Sequence, residues 1–294
     1  MKRLLLAFLA LPLAAQSPEP GRAGAPLDIE SFRYAREIVQ VEPGLSALTL
    51  DASVLAHSDL DDLRIADAKG RQIPYLRERS SDPLIIELRE PWLTEDDSDP
   101  RGPDRLSRYP LELPYGTLPA CRLLADTTAD VFERTVHVEG ERNRRGKPKW
   151  RMPASVWRDP SPGTPAPPLE VELPSRPGET AYLIVDEGDN PPLPLSHPRL
   201  HLDTWTLRFF HPGGKLRLLY GRSDLGQPRY DLSLIASQLD PVARQVSLAP
   251  EPAAGENEPA RVPRGLFWGA LIAAVAVLLL VLARLVREEG ARNA

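Results

Sequence analysis

The chain has 294 residues and a mass of 32.5 kDa, room for one or two domains at roughly 100–200 residues each. Its 36 Lys+Arg against 41 Asp+Glu give a formal charge of −5, which excludes the basic footprint of a nucleic-acid binder. The 33 prolines, about twice the usual level of about 5%, disfavour a helix bundle, and a single cysteine excludes a disulfide framework and a Cys-based zinc site.

The N-terminus reads as a secretory signal over residues 1–15. Lys2 and Arg3 precede the apolar stretch Leu4–Leu13, and Ala14-Ala15 supplies small residues for cleavage. No cysteine follows that stretch, so the pattern is not that of a lipoprotein. Residues 28–90 then read as a small β-sandwich-like domain. Phe32–Val41, Ala47–Leu50, the Leu63/Ile65 pair, Gln72–Leu76 and Leu84–Leu88 are short apolar or alternating runs separated by turn residues, with Lys69-Gly70 as one such turn. Residues 91–108 combine Pro100, Gly102 and Pro103 with Asp96, Asp97, Asp99 and Asp104, the composition of a linker or long loop.

Residues 109–248 read as a jelly-roll-like β-sandwich of about eight strands. The candidate strands are Leu111–Leu113, Ala120–Leu124, Phe132–Val138, Leu169–Leu173, Ala181–Val185, Arg199–Leu202, Thr206–Phe210 and Lys215–Tyr220. Pro212-Gly213-Gly214 is a hairpin turn, and Tyr230–Leu239 is one or two helical turns. Residues 141–168, rich in proline and basic side chains, read as an extended loop over one end. Cys121 sits among Leu118, Leu123 and Leu124, as a buried thiol would. Residues 249–264 form a Pro/Ala/Glu stalk, too polar to pack.

The block 266–286 reads as a transmembrane helix. Leu266–Ala283 carries no charge and would rise about 27 Å at about 1.5 Å per residue, close to the hydrocarbon thickness of a bilayer. Phe267 and Trp268 stand where amphipathic rings favour the headgroups, and Arg284, Arg287 and Arg292 suit a short cytoplasmic tail, with residues 287–294 wholly beyond the span. A cleaved signal with one late span places the ectodomain outside the bacterial cytoplasmic membrane, periplasmic or extracellular.

No Gly-x-Ser-x-Gly elbow, Walker A loop or His-Glu-x-x-His motif occurs, so the reading is non-enzymatic and assigns no catalytic residue. Two features could bind a ligand. Trp150 and Trp157, in the Pro-rich loop, could stack on sugar rings, with Arg144, Arg145 and Lys149 from the chain's one basic run beside them. Packing and a solvated loop are the alternatives. Asp186, Glu187, Asp189 and Asn190 form an oxygen-rich cluster at a strand end, able to hold calcium or equally to form a solvated turn closed by Pro191-Pro192. No other cofactor is expected.

Several short motifs resemble a known family. Asp61-Asp62-Leu63-Arg64-Ile65, Gly70 and Ile73-Pro74-Tyr75 are similar to the opening domain of the bacterial "domain of unknown function 3999" family. Leu118-Pro119-Ala120, Phe132-Glu133-Arg134, Trp150, Asn190-Pro191-Pro192-Leu193, Leu219-Tyr220-Gly221 and Pro228-Arg229-Tyr230-Asp231-Leu232 follow in the same order. The resemblance implies an envelope protein with β-sandwich ectodomains, the second similar to galactose-binding-like jelly rolls, and carries over no catalytic residue. The expected role is to bind a protein partner, such as a polytopic protein of the same membrane. A carbohydrate-binding module for cell-wall or surface glycans is the alternative.

Overall fold

The computed structural model describes residues 24–39, 42–90, 105–238 and 242–251. The expected signal peptide, most of the linker and stalk, the span 266–286 and the tail lie outside the described residues. Among the described residues, no helix is long and apolar enough to cross a membrane.

The protein is mainly β. Among the described residues, fifteen strands form one seven-stranded and two four-stranded sheets. In the seven-stranded sheet, β1 (Tyr34–Val39), β2 (Gly44–Thr49), β3 (Arg64–Asp67) and β4 (Tyr75–Arg79) combine with β13 (Trp205–His211), β14 (Leu216–Tyr220) and β15 (Arg244–Leu248) in the order β3-β14-β1-β15-β2-β13-β4. Its terminal strands, β3 and β4, are consecutive in the chain. They meet where Ile73 N–H donates to Ile65 O at 2.8 Å, so the sheet curls until its ends touch. The joining turn is held by Asp67, whose carboxylate accepts the Lys69 and Arg71 amides at 2.8 and 2.9 Å, and by Gly70 at φ +74°.

Among the described residues, the other eight strands are consecutive in the chain and lie between residues 84 and 202. They are β5 (Leu84–Glu87), β6 (Leu106–Glu112), β7 (Cys121–Thr127), β8 (Phe132–Gly140), β9 (Ser155–Asp159), β10 (Leu169–Leu173), β11 (Thr180–Asp186) and β12 (Leu195–Leu202). Their antiparallel pairs are nested: β8 with β9, β7 with β10, β6 with β11 and β5 with β12. Pairing of β7 with β12 and of β8 with β11 then yields the sheets β10-β7-β12-β5 and β6-β11-β8-β9. Alternation places Leu169, Val171 and Leu173 of one sheet and Val136, Val138, Leu183 and Val185 of the other in the core.

The expected division at residues 91–108 is therefore corrected. Residues 28–90 do not close a sheet of their own, because β1 to β4 take their ladder partners from β13, β14 and β15. The eight-strand unit is shifted toward the N-terminus and ends before β13. It is inserted between β4 and β13, where Ser80 N–H donates to Thr204 O at 3.0 Å and the Ser80 and Thr206 hydroxyls lie 2.8 Å apart. The core is continuous, and residues 24–251 fall within one compact unit. The sequence offered no means to see this, since strand periodicity identifies a strand but not its partner.

Three further elements escape the apolar pattern. A short helix α1, Ala52–His57, is capped by Asp51, whose carboxylate accepts Val54 N–H at 3.1 Å. Strand β9 lies inside the stretch expected to be all loop, hidden by the prolines around it. Strand β15 is too polar to stand out, yet lies between β1 and β2, parallel to β2. The expected helical turns near Tyr230 are a 3-10 helix over Asp231–Gln238.

Two outcomes are expected from this arrangement. A chain stopped after residue 242 lacks β15 and should lose the single cooperative transition in thermal circular dichroism that a chain stopped after residue 251 keeps. Cys121 is buried on β7, and burial pushes its thiol up to about 11. Iodoacetamide labelling near pH 8 should therefore be slow and should rise only along the urea unfolding curve.

Candidate binding cleft

A cleft of about 500 Å³ opens where the curled sheet meets loops of the inserted unit. One wall comes from Arg33 and Tyr34 at the start of β1, Leu55–His57 of α1, and Ser58, Asp59 and Asp62 just after it. The facing wall comes from Thr117–Pro119, ahead of β7, and from Ser175 and Arg176, after β10. Gly221 and Ser223, beyond β14, complete it.

Aromatic side chains stiffen the first wall. The Tyr34 ring stacks on His57 at 4.6 Å between centroids and on Tyr220 at 5.0 Å, while Tyr115 meets His57 edge-on at 5.4 Å. Such contacts are worth about 0.5–1.5 kcal/mol each beyond the area they bury. Gly221, at φ +84°, is required here, since a Cβ would stand 2.6 Å from Tyr34 Cδ2. The Tyr220 hydroxyl donates to Glu251 Oε1 at 3.1 Å, and His57 Nδ1 lies at the same distance from that oxygen. Burial pushes the Tyr220 phenol upward, so it stays a donor.

The polar groups of this wall are held as firmly. Asp62, 2% exposed, accepts the Gly221 and Arg222 amides at 2.6 and 2.7 Å and also the Ser58 hydroxyl. On the facing wall Arg176 occupies φ +57°, a left-handed conformation unusual for a side chain with a Cβ, fixed by its amide donating to Leu118 O at 2.8 Å. Leu60, near the first wall, is also left-handed at φ +72°. Strained backbone of this kind clusters at ligand clamps.

The residues singled out from sequence lie elsewhere, and most of them are engaged in packing or pairing. Trp157 is buried, meets Phe132 edge-on at 4.8 Å, and donates its indole N–H to Pro167 O at 3.1 Å. Trp150 lies against Gly140, where a Cβ would stand 2.4 Å from its Nε1, and donates to Pro177 O at 2.9 Å. Neither ring offers the open platform that sugar stacking needs. The basic run is a tight hairpin in which Asn143 Oδ1 accepts the Arg145 amide at 2.9 Å. Arg142 and Arg151 turn back onto the fully buried Glu139 at 3.1 and 3.0 Å, and Lys149 pairs with Glu141 at 2.6 Å, leaving Arg144 and Arg145 exposed toward its tip.

The acidic loop is a closed turn. Glu187 is 2% exposed and paired with Arg134, Nε to Oε2 at 2.7 Å. Asp186 accepts the Gly188 amide at 3.1 Å, Asn190 Nδ2 donates to Glu187 O at 3.0 Å, and Asp189 is exposed. The four residues therefore do not converge on one point, and among the described residues no group of three His, Cys, Asp or Glu is placed to share a metal ion.

Sequence reasoning missed the cleft because its residues come from five separate segments. The one local signal was Asp62 within Asp61-Asp62-Leu63-Arg64-Ile65, followed far downstream by Leu219-Tyr220-Gly221, and the structure joins these two motifs directly. No family model matches this chain, and searches of curated proteins and of solved structures find no match either.

Breaking a buried ion pair by removing one partner costs about 3–5 kcal/mol. Glu187→Ala should lower stability to urea by that amount, equally in calcium and in chelator.

Proposed function

We propose that this is a non-enzymatic, single-pass envelope protein whose ectodomain receives a protein partner in the cleft between the curled sheet and the inserted unit. Residues 1–15 act as its signal, 266–286 as its span in the cytoplasmic membrane, and the ectodomain lies outside the cytoplasm. The resemblance to the "domain of unknown function 3999" family is part of this reading. So is a jelly-roll assignment for residues 84–202, supported by four nested antiparallel pairs spread over two four-stranded sheets.

The cleft itself carries the proposal. It is open, its walls are stiffened by stacked rings and a saturated buried carboxylate, and its rim is polar, as a preorganised recognition surface requires. The Ser58 hydroxyl donates to Asp62 rather than to His57, so that pair is not set up for nucleophilic attack. The Tyr34 ring is stacked on both His57 and Tyr220, and Trp150 and Trp157 are spent on packing, so glycan stacking is not the reading the geometry supports best.

The position of Glu251 supports a partner in the same membrane. His57 lines the cleft and also holds Glu251, in the first residues of the expected stalk 249–264. A partner in the same membrane would therefore find the cleft beside the root of the tether.

A photo-crosslinking residue placed at Ser175 in the full-length chain, in native membranes, is expected to give one discrete adduct with an integral membrane protein. The same residue at Arg145, on the basic hairpin, should give none. Identical adducts from both positions, or none from either, would contradict the proposal.

A further inference from the structure

We infer that His57 and Glu251 form a proton-sensitive clasp, which holds the root of the expected stalk against the cleft wall when the imidazole is charged and loosens it when the ring is neutral. The inference does not depend on what enters the cleft. His57 lies in the last turn of α1 and Glu251 beyond β15, 194 residues apart in the chain, yet His57 Nδ1 stands 3.1 Å from Glu251 Oε1. Both side chains are largely shielded from water, at 24% and 17% exposed. The same carboxylate oxygen accepts the Tyr220 hydroxyl at 3.1 Å.

The charges around the pair make it responsive. On the β1 side, Arg36 is spent on Asp51 at 2.8 Å, so those two groups balance. On the cleft side, Arg33 and Arg176 are matched in number by Asp59 and Asp62. The rings about the pair belong to Tyr34 and Tyr115, which pack on His57, and to Tyr220, which bonds Glu251. Phenols ordinarily ionise near about pH 10, and burial pushes those of Tyr115 and Tyr220 higher still. Among the described residues, Glu251 is thus the carboxylate left over, and His57 is the group beside it that can supply a positive charge.

The two states of the ring hold that carboxylate differently. An imidazolium donates from both nitrogens, whereas a neutral imidazole carries a hydrogen on Nδ1 in only one of its tautomers. The charge-assisted bond is also roughly twice as strong as a neutral one. Histidine ordinarily changes charge between about pH 5 and about pH 8. The clasp is therefore closed at the acid end of that range, and its contribution is lost as the pH rises through it.

The test is amide hydrogen exchange on the full-length chain at about pH 5.5 and about pH 8, each corrected for the intrinsic rate. Residues 54–58 and 246–251 should be protected about fivefold more at the lower pH, while β10 should not change. His57→Gln, which cannot charge, should hold both segments at the high-pH level at either pH, and Glu251→Gln should likewise erase the difference. His197→Gln, at an exposed histidine, should leave the difference intact. At about pH 8, where the clasp is loose, both clasp variants should keep the thermal transition of the unaltered chain, which separates loss of the switch from loss of folding. Equal protection at the two pH values in the unaltered chain overturns the inference. So does a pH difference that survives in His57→Gln or in Glu251→Gln.

Discussion

The guanidinium of Arg36 ties together parts of the chain that the sequence keeps far apart. It projects from β1, 5% exposed, and makes two contacts with Asp51, at 3.0 and 2.8 Å. It also donates to the Ser53 hydroxyl at 2.6 Å and, through Nε, to Ala249 O at 2.8 Å. Asp51 caps α1, Ser53 lies within it, and Ala249 follows β15. One side chain therefore fixes the helix that forms a wall of the cleft and the strand that fills the middle of the curled sheet. Burial alone would raise the Asp51 carboxyl, but the bonds from Arg36 and Val54 N–H outweigh it and hold the group below its usual 3.8. A depressed carboxyl contributes stability that is present at neutral pH and lost only as the pH falls through the folded value.

The cleft exists because of the insertion. A chain that laid down β1 to β4 and β13 to β15 without interruption would have no loops to face α1. Leaving the curled sheet after β4 and returning at β13 brings the segments before β7 and after β10 opposite α1 and the turn beyond β14. The two walls also differ in chemistry. The sheet side is rigid and aromatic, with Gly221 conceding space to Tyr34, while the inserted side contributes short polar loops and one strained arginine. The segment that completes the sheet continues to Glu251, held by His57 and Tyr220, so the cleft wall, the closure of the sheet and the first residues of the expected stalk meet on a few side chains.

Much of the local structure was legible in the sequence. Leu169–Leu173 alternates cleanly and is a strand over those same residues, and Phe132–Val138 and Ala181–Val185 fall inside β8 and β11. The stretch 109–248, expected to hold eight strands of one sandwich, instead holds β6 to β15 among the described residues, and its last three belong to the curled sheet. Pairing was not legible, because hydrogen-bond partners separated by well over a hundred residues leave no periodic trace in either segment. The site was not legible for a related reason. Trp150 and Trp157 stood out by residue type, but an indole needs a carbonyl for its N–H when buried, and each found one. Glu187 stood out among acidic neighbours, but a buried carboxylate needs a cation, and Arg134 supplies it. The cleft residues are individually ordinary, and only the fold assembles them.

Strands β1 to β4 and β13 to β15 are one sheet, latched by Arg36, and this sheet holds the cleft wall in place. Amide hydrogen exchange on the full-length chain, compared with Arg36→Ala, tests it most directly. The account predicts that β1, α1, β14 and β15 lose protection together in the variant. Retained protection across residues 34–79 while 205–248 exchanges freely would show two independent units and contradict it.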